Sequence, residues 1–247
     1  MSTVFIQHHP ASPPGSTLDV LRSHGHSIRI IKTHEGDEIP DSLDGIDAII
    51  SCGGPQSVCS PDAAMEREYE LLRLAHRAEV PILGLCLGAQ MLAHALGGEV
   101  GKLESGPEVG FHEVALTPAG REDPLFKGIP WWTRQFEWHE DGVLTAPPDA
   151  RVLASSKSAP IQAFSVGIST YGIQYHPEYT RELVVEHWNR PDPLTEAGGG
   201  IEELARQTDL HFDEFHRHGM RFFESVALFL MPVDRLSEGS MREPVEH

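Results

Sequence analysis

The alternation of short apolar runs with amphipathic segments in the first hundred residues constrains the fold more than any other feature. Runs typical of buried strands are followed by segments that carry apolar residues at helical spacing. The predicted strands cover residues 3–7, 26–32, 46–51 and 81–85, and the predicted helices cover residues 16–25, 62–79 and 89–96. This order predicts an α/β fold with a mostly parallel central sheet and helices on both faces.

The pattern changes after Gly101, where short β-rich runs are separated by Pro, Gly and Asp. These runs predict additional, partly antiparallel strands at residues 109–117, 135–140, 150–156, 161–167 and 170–176. Helical spacing returns at Glu178, breaks at residues 190–200 and continues through residues 201–230. We therefore predict one domain over residues 1–230 and a polar, mobile tail over residues 231–247.

Composition excludes several functional classes. The 247 residues carry a formal charge of −18, and such a surface repels phosphate backbones, so we expect no nucleic-acid binding. No apolar stretch is long enough for a membrane span, and the first ten residues do not resemble a signal peptide. The three cysteines, Cys52, Cys59 and Cys86, lack the spacing of a disulfide framework or a zinc site. The default expectation is a cytoplasmic protein that does not bind a membrane.

The segment GLCLGAQ, residues 84–90, places Cys86 between two glycines at the junction of a predicted strand and a predicted helix. In a strand–turn–helix elbow the nucleophile occupies a strained turn, and glycines two residues away relieve the crowding of the backbone. The start of a helix also favours thiolate character. The pattern predicts a cysteine nucleophile at Cys86, although a small buried cysteine would fit the same letters.

A thiolate nucleophile needs a proton carrier that a third group orients. The segment QYHPE, residues 174–178, supplies both groups at the end of another predicted strand. His176 can act as base and acid, and Glu178, beyond the rigid Pro177, can hold its imidazole ring. The paired motifs predict a Cys86–His176–Glu178 catalytic triad.

Together, GLCLGAQ, QYHPE and the upstream SCGGP at residues 51–55 resemble the class I, or triad-type, glutamine amidotransferase family. The stretch PEVGFHEVALT is similar to that of free-standing members related to the amidotransferase domain of GMP synthase. The resemblance implies a flavodoxin-like class I fold with extra antiparallel strands. It also implies hydrolysis of the glutamine side-chain amide through a thioester on Cys86.

The resemblance further implies roles for the residues around the nucleophile. The backbone N–H of Leu87, with that of Gly53 or Gly54, would form the oxyanion hole. Gln90, one helical turn after the cysteine, matches the glutamine that contacts the substrate in this family.

The segment FEWHED, residues 136–141, is similar to a loop that lines the glutamine pocket in this family. Trp138 and His139 match that loop and are predicted to bind the substrate. Glu137 and Glu140 depart from it, since the family carries Gln and Gly there. We expect the side chain of Glu140 to point to solvent. The departures leave open whether the substrate is free glutamine or another γ-glutamyl amide.

The sequence leaves three functions open. It contains no Walker A loop and no dinucleotide fingerprint, and we predict no cofactor and no metal site. As an amidotransferase, the chain would deliver ammonia to an unidentified acceptor, such as a separate synthetase subunit. The alternatives are a γ-glutamyl hydrolase that acts on a γ-glutamyl amine or peptide, and a non-catalytic sensing module. The loop with His8 and His9, at the edge where ligands usually bind, is expected to be an ordinary loop.

Overall fold

The computed structural model describes residues 1–190 and 192–233. Its strands are β1 Ser2–Gln7, β2 Ser27–Lys32, β3 Ala48–Ser51, β4 Ile82–Leu85, β5 Glu99–Lys102, β6 Glu108–Leu116, β7 Trp132–His139, β8 Asp141–Thr145, β9 Ala150–Ser156, β10 Ala163–Val166 and β11 Thr170–Ile173. Its α-helices are α1 Ser16–Ser23, α2 Ala63–Arg77, α3 Leu87–Ala95, α4 Pro118–Glu122, α5 Arg181–Trp188, α6 Pro193–Ala197 and α7 Gly200–Ser225.

The main sheet has nine strands in the order β2-β1-β3-β4-β11-β10-β9-β6-β7. The strands from β2 to β11 run parallel, and the strands from β11 to β7 pair antiparallel. Strands β5 and β8 form a separate two-stranded sheet that the sequence pattern did not indicate. The predicted α/β fold class, a parallel sheet with added antiparallel strands, is confirmed.

The strand register brings the predicted motifs to one edge of the sheet. Leu85, the last residue of β4, pairs with Ile173, the last residue of β11. Ser51, at the end of β3, pairs with Gly84 on the other side of β4. The segments that follow these three strands therefore leave the sheet together, at the carboxyl edge where α/β proteins bind ligands.

Helices cover both faces of the parallel half, because alternate residues of each strand point to opposite faces. One hydrophobic cluster joins strand residues such as Phe5 and Ile50 to α1 and α7. A second cluster joins Ile6 and Ile49 to α2 and α3. A third cluster packs β6 and β7 against α5 and α7, with Phe136 at its centre. This last cluster ties the antiparallel addition to the segment that follows β11.

A serine at the start of a helix usually caps it, but Ser16, the first residue of α1, makes a different contact. Gly15 occupies the N-cap position, and the helix begins at Ser16. No side chain makes a capping hydrogen bond at this helix start. The backbone N–H and the hydroxyl of Ser16 both donate to the carbonyl oxygen of Glu178, at 2.9 and 3.1 Å. The helix start therefore anchors the segment that follows β11.

The C-terminal third matches the predicted helices, with two differences. The predicted break at residues 190–200 contains the short helix α6, and a π-helical segment, Val226–Leu230, follows α7. Met231, which the predicted tail included, is fully buried in the core. Residues 234–247 of that tail lie outside the described residues. Among the helices that the structure does describe, none is long and apolar enough to cross a membrane.

We predict that Gly219→Ala destabilises the protein. Gly219 lies in α7 against the carbonyl oxygen of Pro177, and a Cβ atom would overlap that oxygen. Alanine normally stabilises a helix interior by about 1 kcal/mol relative to glycine, but the overlap should cost about 2 kcal/mol net. Urea unfolding measures the change, with Glu214→Ala on an exposed position of α7 as the control. A Gly219→Ala protein that is more stable than the native one would contradict this packing.

Candidate active site

Cys86 occupies the turn between β4 and α3 in a strained backbone conformation. Its φ is 51° and its ψ is −106°, and a positive φ is uncommon for residues other than glycine. A Cβ atom on Gly84 would press on the backbone of Gly88, and one on Gly88 would overlap the carbonyl oxygen of Ser51. The two glycines are therefore required by the close approach of strand, turn and helix.

The structure brings His176 and Glu178 to this turn. His176 Nδ1 lies 2.8 Å from Glu178 Oε1, and both side chains are buried. Cys86 and His176 both approach Gly53. A Cβ atom added to Gly53 would lie 2.9 Å from His176 Cε1 and 3.6 Å from Cys86 Cβ. The ring of Tyr179 packs against the imidazole with 4.3 Å between centroids. The three predicted catalytic residues thus share one buried site.

The His-Pro-Glu segment is held from several sides. The backbone N–H of His176 donates to the carbonyl oxygen of Phe136, within β7, at 3.0 Å. Gly15, which precedes α1, and Gly219, in α7, approach the carbonyl groups of Glu178 and Pro177 so closely that no Cβ atom fits. Elements from both ends of the chain therefore fix the imidazole.

The electrostatic surroundings of His176 favour its protonated form. Burial by itself lowers the pKa of His176, but its contacts with Tyr179, Cys86 and Glu178 raise this pKa well above its ordinary value. Because Glu178 accepts at Nδ1, the other ring nitrogen is free to exchange a proton with a reacting group. His176 can therefore hold a proton beside the cysteine.

The candidate oxyanion donors surround the cysteine. Leu87 is the first residue of α3, and a Cβ on Gly54 would lie 2.9 Å from its side chain. Within residues 1–190 and 192–233, no protein acceptor receives the backbone N–H of Gly53, Gly54 or Leu87. Free N–H groups at a helix start and at a neighbouring loop can stabilise negative charge on a reacting oxygen.

Gln90 connects the nucleophile to the pocket-lining loop. Its amide nitrogen donates to the carbonyl oxygen of Asp141 at 2.8 Å and to Gln174 Oε1 at 3.3 Å. Gln174 in turn donates from Nε2 to Cys86 Sγ at 3.7 Å. With both amide hydrogens engaged, Gln90 has its oxygen available for a ligand in the cavity that it lines.

Comparison with known proteins places the chain in a family. The model of the family described as glutamine amidotransferase class-I matches residues 15–187. The chain belongs to this family. The predicted resemblance is confirmed, and so is the prediction of an enzyme, since members of the family hydrolyse glutamine with a cysteine nucleophile.

Relatives of the amidotransferase include free-standing proteins and synthase subunits. YfeJ of Salmonella typhimurium, a glutamine amidotransferase-like protein, is 28% identical over 238 residues, which are 92% of this chain and 98% of YfeJ. A subunit of the glutamine-hydrolyzing GMP synthase of Saccharolobus solfataricus is 35% identical over 155 residues, 62% of this chain and 77% of that protein. The crystal structure of a glutamine amido transferase from Methylobacillus flagellatus shares the fold, with a TM-score of 0.81 at 23% identity over 93% of this chain and 95% of that one.

Above the cysteine of the amidotransferase lies a cavity of about 560 Å³. Cys86 and His176 line it together with Trp138, Glu140 and Arg190. The side chain of Glu140 is 53% exposed, and its carboxylate lies 3.5 Å from Lys102 Nζ. Glu140 therefore lies at the mouth of the cavity and contacts solvent, as expected from the sequence.

His139 has a different surrounding from the one that the family loop implies. Its Nδ1 lies 2.9 Å from the carbonyl oxygen of Asp141, so His139 and Gln90 hold the same peptide. Its Nε2 lies 3.0 Å from Glu137 Oε2 and 3.3 Å from Glu108 Oε2. His139 thus links the loop to a buried acidic pair.

These three side chains form a buried charged cluster of the amidotransferase. Burial lowers the pKa of His139, but hydrogen bonds to Glu108 and Glu137 raise it to about 10. One imidazole nitrogen and one oxygen from each carboxyl group lie within 4.8 Å of one another, a spacing that could hold a metal ion. This is the single group of that kind among the described residues. A protonated His139 already serves both carboxylates, so the contacts are explained by a proton.

Sequence reasoning missed several residues of this site. Gln174 and Tyr179 flank the His-Pro-Glu segment, and their position in QYHPEY was a usable signal. Glu108 carried no local signal, because it meets His139 only through the pairing of β6 with β7. His8, expected in an ordinary loop, is buried against the Cys52–Gly54 backbone.

We predict that Glu137→Gln becomes more stabilising as pH rises. Burial raises the pKa of Glu137 from 4.5 to about 7, so the folded protein binds this proton more tightly than the unfolded chain. The resulting stability is complete below pH 4.5 and is lost as pH rises towards 7. Relative to the native protein, the variant should gain about 1–3 kcal/mol between pH 4.5 and pH 8.

Chemical denaturation at several pH values measures this gain. Glu108→Gln is the matched control, because hydrogen bonds from His139 and Ser156 outweigh burial and lower the pKa of Glu108. Its removal should cost more stability at neutral pH than in acid. A difference between Glu137→Gln and native protein that does not vary with pH would contradict the buried titration.

Proposed function

We propose that this amidotransferase hydrolyses the side-chain amide of glutamine or of a closely related γ-glutamyl amide. Cys86 is the nucleophile, His176 is the acid and base, and Glu178 orients the imidazole. The observation that carries the proposal is the strained cysteine beside a buried His176 that lies 2.8 Å from Glu178, at the base of a cavity.

The reaction follows from the donors and acceptors around the cysteine. His176 takes the thiol proton of Cys86 as Sγ attacks the amide carbon, and the negative charge on the oxygen is stabilised by the N–H of Leu87 with that of Gly53 or Gly54. The C–N bond breaks as His176 gives its proton to the leaving nitrogen, and ammonia departs from a γ-glutamyl thioester. His176 then removes a proton from water, which attacks the thioester carbon. The C–S bond breaks, glutamate leaves, and the proton held by His176 returns to Cys86 Sγ.

We propose that the substrate's glutamyl part lies against Gln90, Trp138 and His139. The Gln90 amide oxygen is available to an ammonium or amide donor, and Trp138 offers an apolar wall. His139 acts by holding the Asp141 peptide and thereby the shape of the loop.

Delivery of ammonia to a separate synthetase is the favoured fate of the product. Relatives that are named as single subunits of GMP synthase support this assignment, because such a name implies further subunits. The match to the GMP synthase of Aeropyrum pernix spans 32% of that protein's length, so this chain corresponds to about a third of it. We propose that residues 1–230 form this amidotransferase domain.

A γ-glutamyl hydrolase is the second candidate, and the cavity favours it. A volume of about 560 Å³ is in the range that accommodates drug-sized ligands. Three carboxylates, those of Glu140, Asp141 and Asp192, line the cavity against the one guanidinium of Arg190, and this excess of negative charge suits a cationic leaving amine. The third reading, a non-catalytic sensing module, gives no use to a strained Cys86 backbone, whose cost is about 1–3 kcal/mol.

We predict slow release of glutamate and ammonia from glutamine by the purified chain. Cys86→Ala should abolish it, His176→Ala should lower kcat by at least about 1000-fold, and Glu178→Gln should lower kcat less, with KM nearly unchanged. A coupled glutamate assay measures turnover, and thermal unfolding of each variant shows that the fold is retained. Turnover that persists in Cys86→Ala would show that Cys86 is not the nucleophile.

A matched pair of substrates separates the two enzymatic candidates. We predict that Glu140→Gln raises KM for a γ-glutamyl amine with a cationic tail by about 1.4- to fivefold, because one partly exposed ion pair contributes about 0.2–1 kcal/mol. KM for the neutral γ-glutamyl methylamide should not change. Native protein that cleaves the cationic amide quickly and ignores glutamine would favour the hydrolase. Equal effects of Glu140→Gln on both amides would contradict a role of its charge.

A further inference from the structure

His8 is buried between the sheet and the candidate oxyanion loop. It follows β1 directly, and only 2% of its surface is exposed. Its Nδ1 lies 3.0 Å from the carbonyl oxygen of Cys52 and 3.4 Å from that of Gly53. Because carbonyl oxygens only accept hydrogen bonds, Nδ1 must carry a hydrogen and donate it to this loop.

The opposite side of the ring meets an ionisable partner. His8 Nε2 lies 2.8 Å from Glu68 Oε2, and the other oxygen of Glu68 accepts the hydroxyl hydrogen of Ser51 at 2.6 Å. Burial lowers the pKa of His8, but Glu68 and the two carbonyl groups raise it above its ordinary value. A chain of Ser51, Glu68 and His8 therefore joins β3, α2 and the end of β1.

The geometry of a trans peptide turns this contact into an orientation of the oxyanion donors. In a trans peptide the C=O and the following N–H point in opposite directions, and the described chain contains no cis peptide. When the Gly53 carbonyl faces His8, the N–H of Gly54 must point away from the imidazole. Gly54 lines the cavity above Cys86, and no protein acceptor among the described residues receives its N–H.

The loop needs an external restraint because it lacks an internal one. Rotation of the Gly53–Gly54 peptide changes only glycine torsions, and glycine tolerates both signs of φ. The carbonyl oxygen of Cys52 accepts hydrogen bonds from both His8 and the N–H of Gly88, the latter at 3.1 Å. The carbonyl oxygen of Gly53 accepts its hydrogen bond from His8. Apolar side chains of similar volume often stabilise a core at least as well as a buried ion pair does. The pair of His8 and Glu68 is therefore better explained by the orientation that it gives to the loop.

We infer that His8 is a positioning residue that holds the Gly53–Gly54 peptide with its N–H towards the oxygen of a carbonyl group bound at Cys86. Glu68 and Ser51 keep the imidazole in place. The inference rests on the proposed function, since it assigns an oxyanion donor to the same cysteine. It goes beyond the catalytic residues, because His8 itself does not touch the substrate.

Two substitutions of His8 test the contacts of its two ring nitrogens separately. Asparagine places an amide nitrogen near the position of Nδ1 and can still donate to the Gly53 carbonyl. Glutamine places its amide near Nε2 and keeps the contact with Glu68. A structural role of His8 would make the two variants similar, whereas a positioning role makes them different.

Two reagents separate oxyanion stabilisation from the reactivity of the thiol. p-Nitrophenyl acetate acylates Cys86: an S–C bond forms to the acetyl carbon, the bond between that carbon and the phenolic oxygen breaks, p-nitrophenolate leaves, and an oxyanion develops on the way. Iodoacetamide alkylates the same sulfur and expels iodide without forming an oxyanion. Mass spectrometry of the Cys86 peptide follows both reactions, with Cys86→Ala as the blank.

We expect His8→Gln to slow acylation by about 100-fold and to leave alkylation within about twofold. His8→Asn should keep acylation within about fivefold of native protein. With glutamine, His8→Gln should lower kcat and leave KM unchanged. Should His8→Gln fail to fold, the pair Glu68→Gln and Glu68→Ala repeats the test: the first keeps the imidazole in place, and the second releases it and should slow acylation at least tenfold.

Three results would overturn the inference. One is an unchanged ratio of acylation to alkylation in His8→Gln, or in Glu68→Ala when that pair is used. Another is no difference between the paired variants, and the third is native protein whose Cys86 is alkylated but never acylated. Because the ester reports on Cys86 whether or not glutamine is cleaved, a failed glutaminase assay and a failed role of His8 are distinguishable.

Discussion

The strained turn at Cys86 is the constraint on which the rest of the site depends. A φ of 51° there is sustained because β4, α3 and the end of β3 approach one another through Gly84, Gly88 and Ser51 without intervening Cβ atoms. The contact fixes where the sulfur stands relative to the sheet and leaves the N–H of Leu87 at the helix start without a protein acceptor among the described residues. The other groups of the site are placed relative to that sulfur.

The antiparallel half of the sheet supplies what the parallel half lacks. Strand β7 accepts a hydrogen bond from the backbone of His176 at the carbonyl of Phe136, and its last residues line the cavity together with the turn into β8. The pairing of β6 with β7 also buries Glu108 beside His139. One addition to the fold therefore shapes the pocket wall and holds the imidazole. Its cost is a cluster of ionisable groups in a region without solvent, which only mutual hydrogen bonding offsets.

The departures of this chain from the family loop have different physical meanings. Glu137 is fully buried and lies in the charged cluster, so its carboxylate changes the electrostatics behind the site. Glu140 is more than half exposed and interacts with Lys102, so it changes the charge at the mouth. The first bears on stability and pH response, and the second bears on which amide enters. Family membership therefore leaves the substrate to be decided by the pocket wall.

Local sequence patterns determined the parallel half of the fold, the elbow around Cys86 and the His-Pro-Glu segment, because each depends on neighbours within one element and the next. Tertiary structure decided the rest. The sequence could not indicate that Ser16 binds the Glu178 carbonyl in place of capping its helix, or that Glu108 meets His139. Nor could it show that His8 is buried against the glycine loop, where an ordinary loop was expected. These contacts join residues far apart in the chain, and they exist only once strand order and register are set.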